Sequence, residues 1–269
     1  MVHPPSAHAV DFFADLGLDS FYTSNAYLDR QQEWDVGFVP SVGLGVDFAD
    51  YWGAGYMGQL GVFTQHSELL YHSHELYLLA NPAWGEEQEN EFFAQLSVST
   101  QRNDEAYSYI NYIRPTLDLR TALEPKDWAR LIFSQSLSYR WFYGDVASDS
   151  VDLWTDVSVT FTAPTRTTLT PRASYGFRYY PRQDLSVTDT TMDHQFVFGM
   201  HLSQGLWERA GLQADYAYRY LLGESGLISR QLDTIEISYV GEEFLFGGHR
   251  AELGFKQLFE GGWLSLIHI

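Results

Sequence analysis

The chain has 269 residues and a formal net charge of −19, from 35 acidic residues against 16 Lys and Arg. That balance excludes a nucleic-acid partner, because a phosphate backbone needs a basic face. No run approaches the roughly 18 consecutive apolar residues of a spanning helix. A mean hydropathy of −0.23 still admits strands that hide their hydrophobicity in alternation.

Residues 1–9 come first. Ser6-Ala7-His8-Ala9 has small residues in the A-x-A arrangement of a secretory cleavage site, with no basic or apolar region before it. The segment reads as the remnant of a signal peptide or as a disordered tail. The chain has no cysteine, which fits a cell-envelope protein without disulfides but is a weak signal.

A first strand is expected over 10–24. Residues 34–48 then carry the strongest local pattern: Trp34, Val36, Phe38, Pro40, Val42, Leu44, Val46 and Phe48 alternate with Asp35, Gly37, Val39, Ser41, Gly43, Gly45 and Asp47. Period two held this long marks a strand with one apolar face. It is long beside the roughly 5–6 residues usual in soluble sheets. The pattern returns around Phe92–Thr100, Val151–Phe161, Leu169–Tyr179 and Ala210–Tyr220.

Thirteen strands are expected, near 10–24, 32–49, 51–65, 73–83, 91–102, 108–121, 127–143, 150–163, 166–180, 192–204, 207–221, 230–240 and 244–259. Pro40, Pro115 and Pro171 fall inside these patterns and are read as β-bulges, where a ladder is already broken. The connections alternate in length. Those at 25–31, 66–72, 103–107, 144–149, 181–191 and 222–229 are long. Those at Ala49-Asp50, 122–126, Pro164-Thr165, Gly205-Leu206 and Gly241-Glu242-Glu243 are short, and 84–90 breaks the rhythm.

Alternating faces with alternating loop lengths resemble the bacterial outer-membrane β-barrel class, over residues 10–263. The resemblance implies an all-β, antiparallel, up-and-down transmembrane β-barrel, with about 13 strands present of 14. It places the protein in a Gram-negative outer membrane, with the first strand rising from the periplasm. By strand number the chain looks like the monomeric fourteen-stranded channels and the plugged fatty-acid transporters; strand number does not choose between them. Trp34, Trp52, Trp84, Trp128, Trp141, Trp207 and Trp263 lie near strand ends, where an interfacial aromatic girdle belongs. A soluble sandwich or propeller is the competing architecture; it should carry more Lys and Glu on its solvent faces.

The last six residues, Leu264-Ser265-Leu266-Ile267-His268-Ile269, back-translate to a sequence that resembles the transposon mosaic end of sequencing libraries. Residues 264–269 are accordingly expected to be adapter, with the natural coding sequence cut before a closing strand.

On the polar faces lie Arg114, Asp118 and Arg120, then Arg130 and Arg140, Asp152 and Asp156, Arg172 and Arg178, and Asp215 and Arg219, with Arg166 and Arg209 nearby. The seventh, eighth and ninth strands thus read basic, acidic, basic, and neighbouring strands of opposite charge attract. These residues are expected to line the lumen, as a charged ladder facing water or as filling that rigidifies it. His72 and His74 share a strand face at a spacing a divalent metal can use; they are weak metal candidates, and a solvated loop is the plain alternative. No G-x-S-x-G and no telling Ser, His and acid set exists, so no catalytic residue is singled out and no enzymatic activity is expected. No cofactor is expected either. The expected function is a channel for small polar or anionic solutes. The alternatives are a non-conducting barrel acting as an anchor or export partner for envelope proteins and, more remotely, an outer-membrane lipid hydrolase. The partners are membrane lipid, small solutes and, in the second case, another envelope protein.

Overall fold

The structure is a computed structural model that describes residues 10–23, 34–85, 89–144, 149–182, 192–207, 210–222, 248–258 and 264–268. Among the described residues, fourteen strands form one sheet. They are β1 (Asp11–Thr23), β2 (Asp35–Ala49), β3 (Trp52–Phe63), β4 (Tyr71–Ala80), β5 (Ala83–Trp84), β6 (Asn90–Asn103) and β7 (Tyr112–Lys126). The others are β8 (Ala129–Phe142), β9 (Ser150–Ala163), β10 (Thr167–Tyr179), β11 (Met192–Trp207), β12 (Ala210–Leu222), β13 (Gly248–Leu258) and β14 (Leu264–His268). Each long strand pairs antiparallel with the next in sequence, without crossover. Among the described residues, no ladder joins β1 to β14.

The long strands up to β12 hold 10 to 16 residues. A tilted strand needs about 9–11 residues to cross a bilayer. Short turns gather at one end of the sheet and long connections at the other. The irregular connection near 84–90 has a local cause. β5 folds back on β6, pairing Ala83 with Glu91 and Trp84 with Asn90. Gly85 makes the reversal at φ +108°, a conformation that suits glycine and few other residues.

Two expectations are corrected. The three prolines make no bulges. Pro40 stands opposite Leu18, Pro115 opposite Val98 and Pro171 opposite Met200. On their other sides the register resumes unshifted. In an antiparallel sheet a residue turns both its N–H and C=O toward one neighbour, so proline costs one bond on one side. The shifts that do occur sit beside short turns, at Asp47/Ala49, Leu123/Lys126 and Gly205/Trp207. The second correction concerns β13. It pairs directly with β12, Asp215 opposite Glu252, so no strand intervenes, and β13 runs opposite to the direction expected for it. The strand expected over 230–240 lies outside the described residues.

The two faces differ as the alternation requires. Phe38, Leu44, Leu76, Leu96, Leu137, Val157, Phe161 and Phe198 are all exposed, and all belong to the apolar side. Asp35, Ser97, Gln101, Arg140, Ser174, Arg178 and Gln195, on the other side, are buried. Side chains crowd together on the concave surface of a curved sheet and spread apart on the convex one. The polar face is therefore the enclosed one. A greasy face exposed across twelve strands has no place in water. With every strand paired in a meander and apolar residues outside, it is the wall of a transmembrane barrel. The chain is an integral outer-membrane β-barrel.

Candidate functional site: the charged inner wall

On the enclosed face of β1–β12 the arginines keep to β7–β12, where carboxylates accompany them. β1 to β4 present Asp11, Asp15, Asp19, Asp35, Asp47 and Glu75, with no Lys or Arg among the described residues. Arg114 and Arg120 on β7, Arg130 and Arg140 on β8, Arg172 and Arg178 on β10, and Arg219 on β12 share the same face by register. The sequence places each of them by period two alone. The structure decides which of them meet.

At the short-turn end, Arg130 Nη2 donates to Glu91 Oε1 at 2.8 Å. Its Nε lies 3.5 Å from Glu124, and Arg120 lies 3.7 Å from Glu91. Arg130 thus reaches across β7 to β6. Ala122, opposite Glu91 on β7 and fully buried, is small enough to let the pair pass over it. Arg130 is 40% exposed and Glu91 33%, so water screens this cluster.

At the long-loop end the charges are dry. Arg178 is 3% exposed, and its Nε donates to Asp152, which is 16% exposed and also accepts from Ser150 Oγ at 3.1 Å. Asp149, wholly buried, accepts from the Phe142 N–H at 2.8 Å and the Tyr139 hydroxyl at 3.3 Å, with Arg182 Nη1 3.4 Å away. Arg140 lies 5.1 Å over the Tyr112 ring and Arg114 6.0 Å over the same ring. One aromatic ring thus meets two guanidiniums. Charges this far from water persist only where partners replace their hydration.

Between the two ends the wall is looser. Asp156 takes its hydrogen bond from Ser174. Arg172 lies over Gly199, where a Cβ would come within 2.5 Å of its Nε, and remains exposed. Asp118 stands opposite Gln95 and Ser136. His201 Nδ1 meets Asp215 Oδ1 at 2.7 Å. Arg219 faces Val197. Among the described residues, the expected basic, acidic, basic ladder is realised around Asp152, which pairs with Arg178 and also feels the charge of Arg140. Arg130 turns to β6 and β7, and Asp156 finds a hydroxyl. The direction in which a long side chain leans is a tertiary outcome that strand alternation does not encode.

Sequence reasoning missed Glu91, Glu124, Asp149, Arg182, His201 and Gln195. Glu91 and His201 were legible, since each continues the polar phase of its strand. Asp149 sits in a loop, where period two says nothing. Trp34, Trp52, Trp84, Trp128 and Trp141 are between 44% and 55% exposed. The side chain of Trp207, together with Trp263 and Arg209, lies outside the described residues. His72 and His74 are not in a loop; β4 begins at Tyr71. Their nitrogens face each other at 2.9 Å, and among the described residues no third His, Asp or Glu joins them as a metal site.

No protein-family model matches the chain. No curated protein matches it either. Among solved structures, the chain is similar to a loop L8 deletion form of OmpT, an outer membrane protein of Vibrio cholerae, at 9% identity and a TM-score of 0.45, covering 82% of this chain and 96% of that one. It is similar to KdgM porin in complex with disordered oligogalacturonate at 11% identity and a TM-score of 0.31, covering 78% and 95%. KdgM porin without that ligand aligns at 12% identity and a TM-score of 0.29, covering 79% and 95%. One expectation is corrected beside them. The expectation of no enzymatic activity does not stand, since a barrel fold leaves function to the site built on it.

Proposed function

We propose that the barrel is a channel for small polar or anionic solutes, with an aqueous path along the arginine-bearing side of the enclosed face. One observation carries this. Arg120, 48% exposed, and Arg172, also exposed, stand midway along strands whose apolar side chains point the other way. Water therefore reaches guanidinium groups inside the wall. Arg114, Asp118, Arg130, Arg140, Asp152, Asp156, Arg178, Asp215 and Arg219 complete the lining, in which the exposed guanidiniums of Arg120 and Arg172 offer local positive charge to an anion. The exposed tryptophans at the strand ends act as the girdle that sets the barrel's depth in lipid. By loop length, the short turns face the periplasm and the long loops the exterior.

The test is a planar-bilayer recording of the purified barrel. Discrete conductance is expected, and R120E/R172E should move its selectivity toward cations. No conductance above background sinks the proposal. A second reading has its own support at the long-loop end, where Arg140, Arg178, Tyr180 and Gln195 are each at most 4% exposed. A wall packed this tightly suits a filled barrel that anchors another envelope protein. Stoichiometric co-purification of such a partner, with no conductance, would favour it.

A further inference from the structure

The middle of β11 carries a glycine that no turn explains. Gly199 stands opposite Arg172 of β10 and Ala217 of β12, and its neighbours along the enclosed face are Val197 and His201. A glycine inside a strand costs conformational entropy and gives up packing, and it commonly marks a place where another group comes close to the backbone. Here that group is Arg172. A Cβ added at Gly199 would come within 2.9 Å of Arg172 Cγ, 3.3 Å of its Cδ and 2.5 Å of its Nε. The stem of the arginine, not only its tip, lies across the glycine. The side chain therefore leans along the wall toward β11.

Arg130 lies down in a similar way, over Ala122, and a carboxylate meets it on the far side, Glu91 at 2.8 Å. Arg172 differs. Among the described residues no carboxylate pairs with it: Asp156 takes its hydrogen bond from Ser174, and Asp215 meets His201 Nδ1 at 2.7 Å. On its other side stands Ser158, and beyond Ala217 the row continues to Arg250. The guanidinium stays exposed. The seat on Gly199 thus serves no ion pair and buries no charge. What it does is keep a wet cation against the wall. An arginine standing away from the wall would take up cross-section in the enclosed space, and one laid over a glycine keeps its charge there and leaves the space clear.

We infer that Gly199 is the positioning residue for Arg172, and that this pair sets the local width and the anion preference of the path. The inference rests on the channel reading of the wall and adds a residue that carries no charge to it. A methyl at Gly199 displaces Arg172 from its seat. Cγ is among the atoms it would strike, and the position of Cγ is set by χ1, so the side chain must change rotamer at its base and swing off the wall.

The test uses two readouts on the full chain. The first is labelling of the folded barrel in detergent by p-hydroxyphenylglyoxal, an arginine-specific dicarbonyl, read by mass spectrometry with Arg120 as the internal standard. In G199A, Arg172 should react about twofold faster or more, while Arg120 keeps its rate. The second is single-channel recording. G199A should lower the conductance by about a third and shift the reversal potential toward anions, and in an R172A background G199A should change neither. Heat-modifiable migration on gels reports that each variant is folded. Should G199A fail to fold, G199A/R172A is expected to recover the folded band, because the clash leaves with the side chain. A barrel silent in bilayers whose G199A variant still labels faster keeps the seat and removes the channel. An unchanged Arg172 rate in folded G199A, an equal conductance change with and without Arg172, or a G199A defect in folding that R172A does not relieve would overturn the inference.

Discussion

The two walls of the barrel handle charge in opposite ways. Along β1 to β3 many enclosed positions are glycine, covered by aromatic rings: Phe21 over Gly37, Phe13 over Gly45, Tyr77 over Gly55 and Tyr71 over Gly61. Four carboxylates of that wall, Asp11, Asp15, Asp19 and Asp47, are exposed, while Asp35 at its long-loop end is buried and accepts from the N–H groups of Val36, Thr64, Gln65 and His66. Along β8 to β10 the long-loop end is packed with buried Arg140 and Arg178, and charge partners charge. Carboxylates bathed in water shape the field inside a barrel and add little to its stability. A buried ion pair is the reverse: breaking it strands one charge in a dry site.

The largest break in this contrast should come from D152A. It leaves the Arg178 guanidinium buried without its carboxylate, and about 3–5 kcal/mol of stability should go. The measurement is the urea midpoint of the barrel refolded in lipid vesicles. An unchanged midpoint would mean that the packed wall does not depend on this pair.

The glycine wall should break next. In G61A the new methyl would come within 2.0 Å of the Tyr71 ring, and Tyr71 is only 5% exposed, so the ring has little room to swing. About 1–3 kcal/mol should be lost. G43A is the control, because its Cβ would sit 3.6 Å from Asp15 Cβ, an ordinary contact. Equal loss in both would show that backbone freedom, not ring packing, requires these glycines.

A smaller effect is expected from R130Q. It removes two ion pairs, yet the guanidinium is 40% exposed, so the loss should stay below about 1 kcal/mol. A shift as large as that of D152A would place this cluster with the dry wall. The smallest stability change should come from D15N/D19N, which ought to leave the urea midpoint in place. In bilayers the same variant should raise the preference for anions, read as a shift in reversal potential. A lowered midpoint would show that these exposed carboxylates hold structure after all.

Parts of this were legible from residues alone. Period two over 34–48 assigns Phe38 and Leu44 to one face and Asp35 and Gly37 to the other, and the structure keeps that division. Strand alternation is imposed by the backbone, so it survives any tertiary context. The prolines were misread because a sequence shows a missing N–H but not which neighbour loses the bond. The expected start of β4, at 73, is two residues later than Tyr71, which leaves His72 in the preceding loop. Arg130 was assigned to the correct face, but its partners come from β6 and β7, and reach over a small residue such as Ala122 is set by three strands together.

The sequence by itself determined the class of object: alternating faces, long strands, and short turns alternating with long loops already describe a membrane barrel, because each is a local property of the chain. The tertiary structure decided which charges meet, which go dry, and that Tyr56, His74 and His72 line up across two neighbouring strands. Those outcomes depend on register between strands far apart in sequence, and a shift of one residue in any ladder would carry every side chain to the opposite face.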